Sequence, residues 1–133
     1  MTSILELINK YKSLEDKIAA ILYTTGLDRI PTDLRILHTA FYEISKDHNE
    51  FFNDLHFKIG GRFPYSESLD QVFPALAISG LISCENPEYD VYTINLQQKK
   101  LIEKNILPLF SSETETDDIK KIAEELKQKI IQC

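Results

Sequence analysis

The sequence predicts a mainly helical domain of the α+β class. Apolar residues recur at steps of three and four in several segments, which is the spacing of an amphipathic helix, whereas short β-like runs are few. Glycine or proline follows three of the helical segments, as expected where a helix must end. The 133 residues, of which 43% are hydrophobic, are enough for one compact domain with its own core.

The first helix is predicted over residues 4–22. Eight apolar side chains, from Ile4 to Leu22, fall on one face of a helix of about six turns. Gly26 is the predicted terminator, because glycine accepts the left-handed conformation found just beyond a helix end. The apolar face must be buried, and the sequence leaves open whether it packs on its own domain or pairs across a dimer.

The second helix is predicted to begin beside Pro31, with Thr32 as its N-cap, and to end near Lys46. The acidic Asp33 suits the positive end of the helix dipole. The apolar stripe of this helix consists of Leu34, Leu37, Phe41 and Ile44. A short third helix is expected over residues 49–55, which contain three further apolar side chains.

The segment KIGGRF, residues 58–63, predicts a tight turn after a short strand. Gly60 and Gly61 supply the positive φ that such a turn needs. Backbone amides beside a helix start can also bind an anion, with Arg62 as the side chain within reach. The spacing lacks the lysine-serine ending of a P-loop, so a structural turn is favoured.

The helix after this turn is predicted to start at Ser66 or Ser68 and to end at Gly80. Either serine can cap it, and Ser68 stands three residues before Gln71, which is the capping-box spacing. Pro74 lacks a backbone N–H, so it is expected to kink the helix or to divide it in two.

Two short runs, residues 81–84 and 91–94, predict a hairpin around the turn sequence ENPEYD. Asn95 then caps a helix that ends before Pro108. The last helix is expected from about Asp117. Its narrow apolar stripe consists of Ile119, Ile122, Leu126 and Ile130.

Helix, helix, short strand, helix and two-stranded hairpin is the element order of a winged-helix domain. Residues 31–95 would form the winged-helix core, with the hairpin as its wing. Residues 1–30 and 96–133 would be amphipathic helical extensions of the same single domain. The helix after the Gly60 turn would take the place of the recognition helix.

The phrases GRFPYSESLDQVFPALAISGLI and YDVYTI resemble small prokaryotic winged-helix proteins of two kinds. One kind comprises transcription regulators. The other comprises non-catalytic subunits that accompany ABC- or SMC-type ATPases, including those of anti-phage defence assemblies. The resemblance covers residues 32–94 and fixes neither a catalytic residue nor a partner.

The net charge of −6 lies in the middle of the chain. Acidic and basic side chains balance in residues 1–30 and 96–133, whereas residues 31–95 contain ten acidic and four basic ones. This excess of acidic side chains repels phosphate, and the predicted recognition helix contains no basic residue. DNA binding through the core is therefore disfavoured. A dimeric DNA-binding regulator, the alternative hypothesis, would need cations elsewhere. The candidates are Arg62, Lys99, Lys100 and Lys104.

No motif for catalysis or for a cofactor is found in the sequence. His38, His48 and His56 are spaced ten and eight residues apart, which matches neither a helical turn nor a zinc pattern, so no metal is expected. Cys84 and Cys133 fit neither a disulfide framework nor a metal knuckle. We therefore expect a non-enzymatic protein without a cofactor.

The leading hypothesis is an adaptor subunit that works by protein contact. The expected partner interface consists of Ile119, Ile122, Leu126, Ile130, Tyr89 and Tyr92. The last helix is short enough to need apolar burial to stay folded, and tyrosine combines apolar area with a polar tip. Folding of that helix onto its own core is the alternative. An SMC- or ABC-type ATPase and a second copy of the chain are both candidate partners.

The sequence favours a cytoplasmic location. The first residues, MTSILELINKYKSLEDK, lack the basic region, apolar block and cleavage site of a signal peptide. No apolar run approaches the roughly 20 residues that cross a bilayer, so no membrane partner is expected.

Overall fold

The computed structural model describes residues 13–84 and 91–131. The elements in these ranges are α1 (Leu14–Thr25), β1 (Arg29–Pro31), α2 (Leu34–Asp47), α3 (Glu67–Ile78), β2 (Val91–Thr93), α4 (Leu96–Asn105), a 3₁₀ turn (Leu107–Leu109) and α5 (Glu113–Ile131). Helices dominate, and β1 and β2 form a two-stranded antiparallel sheet. The predicted mainly helical α+β class is therefore confirmed.

The central helix is α1. Its sequence is apolar on almost every side, and Ile18, Ala20 and Ile21 are fully buried. It packs against α3, α4 and α5. Residues 14–25 therefore occupy the middle of the core and are not a peripheral extension. The earlier part of the predicted first helix lies outside the described residues, whereas Gly26 ends α1 at a φ of 73°, as predicted.

The sheet joins distant parts of the chain. β1 pairs antiparallel with β2, and the fully buried Ile30 stands opposite Tyr92. Thr93 also makes an antiparallel bridge to Ser83. The expected pairing of residues 81–84 with 91–94 is thus present at this bridge, while the predicted turn between them lies outside the described residues. The sequence did not predict β1.

Helix α2 has Asp33 as its N-cap, and turns follow the helix. The carboxylate of Asp33 accepts the first free N–H groups of the helix, which corrects the prediction of Thr32 as the cap. The predicted helix at residues 49–55 is wrong, because this segment forms turns. Lys17 on α1 holds it by donating to the carbonyl of Phe51 at 2.8 Å and to the carboxylate of Asp54 at 3.3 Å.

One helix, α3, runs without a break through Pro74. Of the two predicted effects of Pro74, the division of this segment in two is therefore wrong, while a kink stays a prediction. At the far end, Gly80 adopts a φ of 84° and the N–H of Leu81 donates to the carbonyl of Leu76 at 3.0 Å. This is the Schellman arrangement, and it confirms Gly80 as the predicted end.

The last two helices are capped by side chains. Asn95 and Gln98 form a reciprocal capping box at the start of α4, and the 3₁₀ turn that contains Pro108 follows this helix. Helix α5 begins at Glu113, four residues earlier than predicted, and packs on α1 and α2. None of the helices in the described ranges combines the length and the hydropathy needed to cross a bilayer.

Candidate protein interface and lysine-lined groove

His38 fixes the start of α3 to the core. Ser66 is the N-cap of α3, and its hydroxyl accepts the N–H of Leu69 at 3.2 Å. The Nδ1 atom of His38, on α2, accepts the backbone N–H of Ser66 at 3.0 Å. Both His38 and Ser66 are buried, so water does not compete for this hydrogen bond. The position of α3 therefore depends on a neutral imidazole.

The surroundings of His38 keep its ring neutral. The ring stacks on Tyr65, with 4.9 Å between centroids and 3° between planes. The Tyr65 hydroxyl donates to the Asp70 carboxylate at 2.8 Å, which raises the pKa of Tyr65. Burial lowers the pKa of His38, and the charge of Asp70 offsets only part of that effect. His38 thus has a structural role, which is to hold the start of α3.

The outer face of α3 is the side turned away from the core. It consists of Glu67, Ser68, Gln71, Pro74, Ala75 and Ile78. Ile78 is 88% exposed, more than any other large hydrophobic side chain in the described residues. The single charged residue of the face is the acidic Glu67. Isoleucine, proline and alanine therefore give this face apolar surface that no described residue covers.

The outer face of α3 suits a protein better than DNA. Readout of the major groove uses arginine, lysine, asparagine or glutamine, and cations must hold the phosphates. This face offers Gln71 and no cation. The cores of protein interfaces are depleted in charge, as this face is. The sequence showed that this helix has no basic residue. It did not single out Ile78, although Ile78 lies away from the buried apolar stripe of α3.

The apolar stripe of α5 faces the core of its own chain. Ile122 and Leu126 are fully buried, Ile119 is 4% exposed and Ile130 is half-buried. Their neighbours are α1 and α2. The assignment of this stripe to a partner interface is corrected accordingly, because its apolar area is already removed from water within the chain. Helix α5 instead folds onto the core of its own chain, which is the alternative that the sequence left open.

The two tyrosines of the expected interface have different outcomes. The ring of Tyr92 is half-buried and stacks on Phe73 of α3 with 5.2 Å between centroids. Burial raises the pKa of Tyr92. Tyr92 therefore belongs mainly to the contact between β2 and α3. Tyr89 lies outside the described residues.

The four predicted cations do not form one patch. Arg62 is exposed in the loop before α3. On α4, Lys99 forms an ion pair with Asp28, while Lys100 and Lys104 are exposed and have no ion pair with any described residue. Lys99 and Lys100 line a common groove, and Arg62 and Lys104 are not part of it.

This lysine-lined groove runs along α4, between the end of α1 and the start of α5, and has a volume of about 610 Å³. Its apolar lining includes Leu96, Leu107, Phe110 and Ile119. Its charged lining consists of Lys99, Lys100, Lys120 and Glu103. The Tyr23 hydroxyl donates to Glu103, and this hydrogen bond is the main reason why the pKa of Tyr23 is raised. The sequence could not predict the groove, because three distant segments contribute to it.

Two pairs of polar side chains connect the end of α2 with α5. The Nε2 atom of His48 lies 2.8 Å from a carboxylate oxygen of Glu125, and Lys129 pairs with Glu43. Within residues 13–84 and 91–131, no three histidine, cysteine or acidic side chains are grouped so that they could hold a metal ion. These pairs connect two helices and suggest no reaction.

Neither a protein-family model, nor a curated protein, nor a solved structure matches this chain.

Proposed function

We propose that the chain is a non-enzymatic winged-helix subunit that binds a protein partner through the outer face of α3. The order α1, β1, α2, α3, β2 supports the winged-helix assignment, as does the pairing of β2 with β1 on one side and with Ser83 on the other. In this proposal α1 is the first helix of the winged-helix core, so the core begins earlier than residue 31.

The observation that carries the proposal is the chemistry of the outer face of α3. In DNA-binding winged-helix domains the corresponding helix enters the major groove. Here that position presents the 88%-exposed Ile78 beside Pro74, and its one charge is the acidic Glu67. The free energy falls when a partner removes an exposed apolar helix face from water, whereas contact with DNA phosphates would lower it little.

The partner class follows from the sequence resemblance. Small winged-helix subunits accompany ABC- or SMC-type ATPases, including those of anti-phage defence assemblies, and we include such an ATPase in the proposal as the partner. The site of action would then be the cytoplasm, where these ATPases work. Contact through α3 leaves the ion pairs and the core of the chain unchanged.

The test replaces Ile78 by aspartate. A charge buried at the centre of an interface without a counter-ion weakens binding by about tenfold or more. Ile131→Asp is the matched control, since Ile131 is 59% exposed on α5 and the substitution introduces the same charge. The free energy of unfolding of both variants should lie within about 0.5 kcal/mol of that of the parent chain, because both sites are exposed.

Binding is measured with a candidate ABC- or SMC-type ATPase from the same organism, by co-expression and by titration of the purified proteins. We expect the parent chain and Ile131→Asp to bind alike and Ile78→Asp to lose affinity. Equal affinity of all three proteins would refute the assignment of the interface to α3. Absence of binding by the parent chain would refute this ATPase as the partner.

The second candidate function is a dimeric DNA-binding regulator. Lys100 and Lys104 favour it, because they stand one turn apart on α4, exposed and without ion pairs among the described residues. Titration of duplex DNA at low and at physiological salt separates the two functions. A regulator binds with an affinity that falls steeply as salt rises, whereas the proposed adaptor shows no affinity at physiological salt.

A further inference from the structure

The lysine-lined groove has the features of a small-molecule site. It lies between helices, its volume of about 610 Å³ is that of a typical ligand pocket, and its lining is mainly apolar with a few charged groups. We propose that the groove binds a small amphiphile, with an apolar body and one anionic head group that is a carboxylate or a phosphate. This site is separate from the outer face of α3 and goes beyond the proposed function.

The dimensions of the groove favour a single apolar chain. Its lining follows α4 and the 3₁₀ turn from Leu96 to Leu107, which corresponds to a length of about 16 Å at 1.5 Å per residue. An extended apolar body of about this length therefore matches the groove.

The charge of the groove favours an anion. Lys100 from α4 and Lys120 from α5 line it, and neither has an ion pair with a described residue. Lys99 is paired with Asp28 and is therefore largely neutralised. With the carboxylate of Glu103 counted as well, Lys100 and Lys120 leave the groove with a net positive charge, whereas the whole chain has a net charge of −6. The local sign is thus opposite to that of the whole molecule, as expected for a site that selects an anion.

The neutral polar groups of the groove do not compete for the head group. The hydroxyl of Thr24 donates to a carbonyl of α1, and that of Thr116 donates to backbone carbonyls before α5. The hydroxyl of Tyr23 donates to Glu103, which occupies the one carboxylate in the lining. The donors that remain for a ligand among the described lining residues are the lysine ammonium groups, so Lys100 and Lys120 determine the specificity.

The test titrates sodium decanoate into the full chain and follows it by calorimetry and by NMR spectra of the isoleucine and leucine methyl groups. Decylammonium is the matched probe, because it has the same apolar chain and the opposite charge. The acidic chain as a whole attracts decylammonium, so a preference for decanoate can arise only from a local positive site. We expect saturable binding of decanoate, weaker binding of decylammonium, and shifts at Leu96, Leu107 and Ile119.

The variants remove charge without touching the apolar lining. Lys100→Gln combined with Lys120→Gln should weaken decanoate binding about tenfold, since each substitution removes one charge-assisted contact with the carboxylate of decanoate. Lys104→Gln combined with Lys121→Gln is the matched control, because it makes the same changes on the same two helices outside the groove. The control should bind decanoate within about twofold of the parent chain. All four lysines are exposed, so both variants should remain folded.

Three results would overturn the proposal. One is the absence of decanoate binding; another is equal affinity for decanoate and decylammonium, which would make the groove an apolar depression only. The third is an equal loss in the two double variants, which would mean that general charge and not Lys100 and Lys120 attracts the ligand. Ile78→Asp should leave decanoate binding unchanged, which keeps this test independent of the protein interface.

Discussion

Replacing Leu126 by alanine tests how α5 is bound to the rest of the chain. Leu126 is fully buried between α5 and the helices α1 and α2. Truncating a buried leucine removes the transfer free energy of its methyl groups and leaves a cavity, which together lower the free energy of unfolding by about 3 kcal/mol. A domain of this size is stable by only about 5–15 kcal/mol, so the loss is a large fraction.

The measurement is urea denaturation followed by far-UV circular dichroism. With a slope of about 1.5 kcal/mol per molar urea, a loss of about 3 kcal/mol lowers the midpoint by about 2 M. Ile131→Ala is the control, since Ile131 lies on the same helix and is 59% exposed. It should change the free energy of unfolding by less than about 0.5 kcal/mol.

The control also defines the result that would refute the reasoning. If Leu126→Ala and Ile131→Ala shift the midpoint equally little, α5 is not packed on α1 in solution. Its apolar stripe would then be free for a partner, as the sequence first suggested. If Leu126→Ala alone shifts the midpoint, the burial of α5 within its own chain is confirmed.

Three further changes test local features. Because burial lowers the pKa of His38, the free energy of unfolding should fall as pH drops below about 6.5 and through the lower folded-state pKa. His38→Ala should remove this pH dependence, measured by urea titrations at several pH values. A parent chain whose free energy of unfolding does not change with pH would contradict the prediction. Asn95→Ala should cost about 1 kcal/mol by removing a capping box, and an unchanged thermal midpoint would count against that cap. Gly80→Ala should cost about 1 kcal/mol through its left-handed backbone alone, since no atom lies within 4 Å of the added carbon, and a stabilised variant would disprove the left-handed conformation.

Helix ends were predictable because their chemistry is local. Gly26, Ser66, Gly80 and Asn95 each act through hydrogen bonds or dihedral angles within a few residues. The wrong prediction of Thr32 as a cap is also a local matter. The neighbouring Asp33 is an equally good acceptor and lies one residue closer to the helix. A pattern that depends on near neighbours can be seen in the sequence.

The elements that the sequence missed depend on distant partners. β1 has three residues, and its one buried side chain, Ile30, has a strand partner far along the chain. Residues 49–55 are apolar enough for a helix, but Lys17 on another helix holds them as turns. Neither contact leaves a periodic signal that could be seen in its own segment.

The candidate sites were predictable only in part. The absence of basic residues from α3 is a property of the sequence and can be seen without the structure. Which residues of a helix face outward depends on the neighbours of that helix, so Ile78 and the burial of Leu126 emerged only with the structure. The lysine-lined groove needed the positions of α1, α4 and α5 together.

The pairing of β1 with β2 has a consequence for the folding pathway. It connects residues about sixty positions apart, and closing a loop of that length costs about 4 kcal/mol of chain entropy before any constant term. Three pairs of residues cannot repay this alone. The helices must therefore first bring the strands together, so the sheet should form after the main kinetic barrier. Folding-rate measurements on Ile30→Val should then show a φ-value near zero.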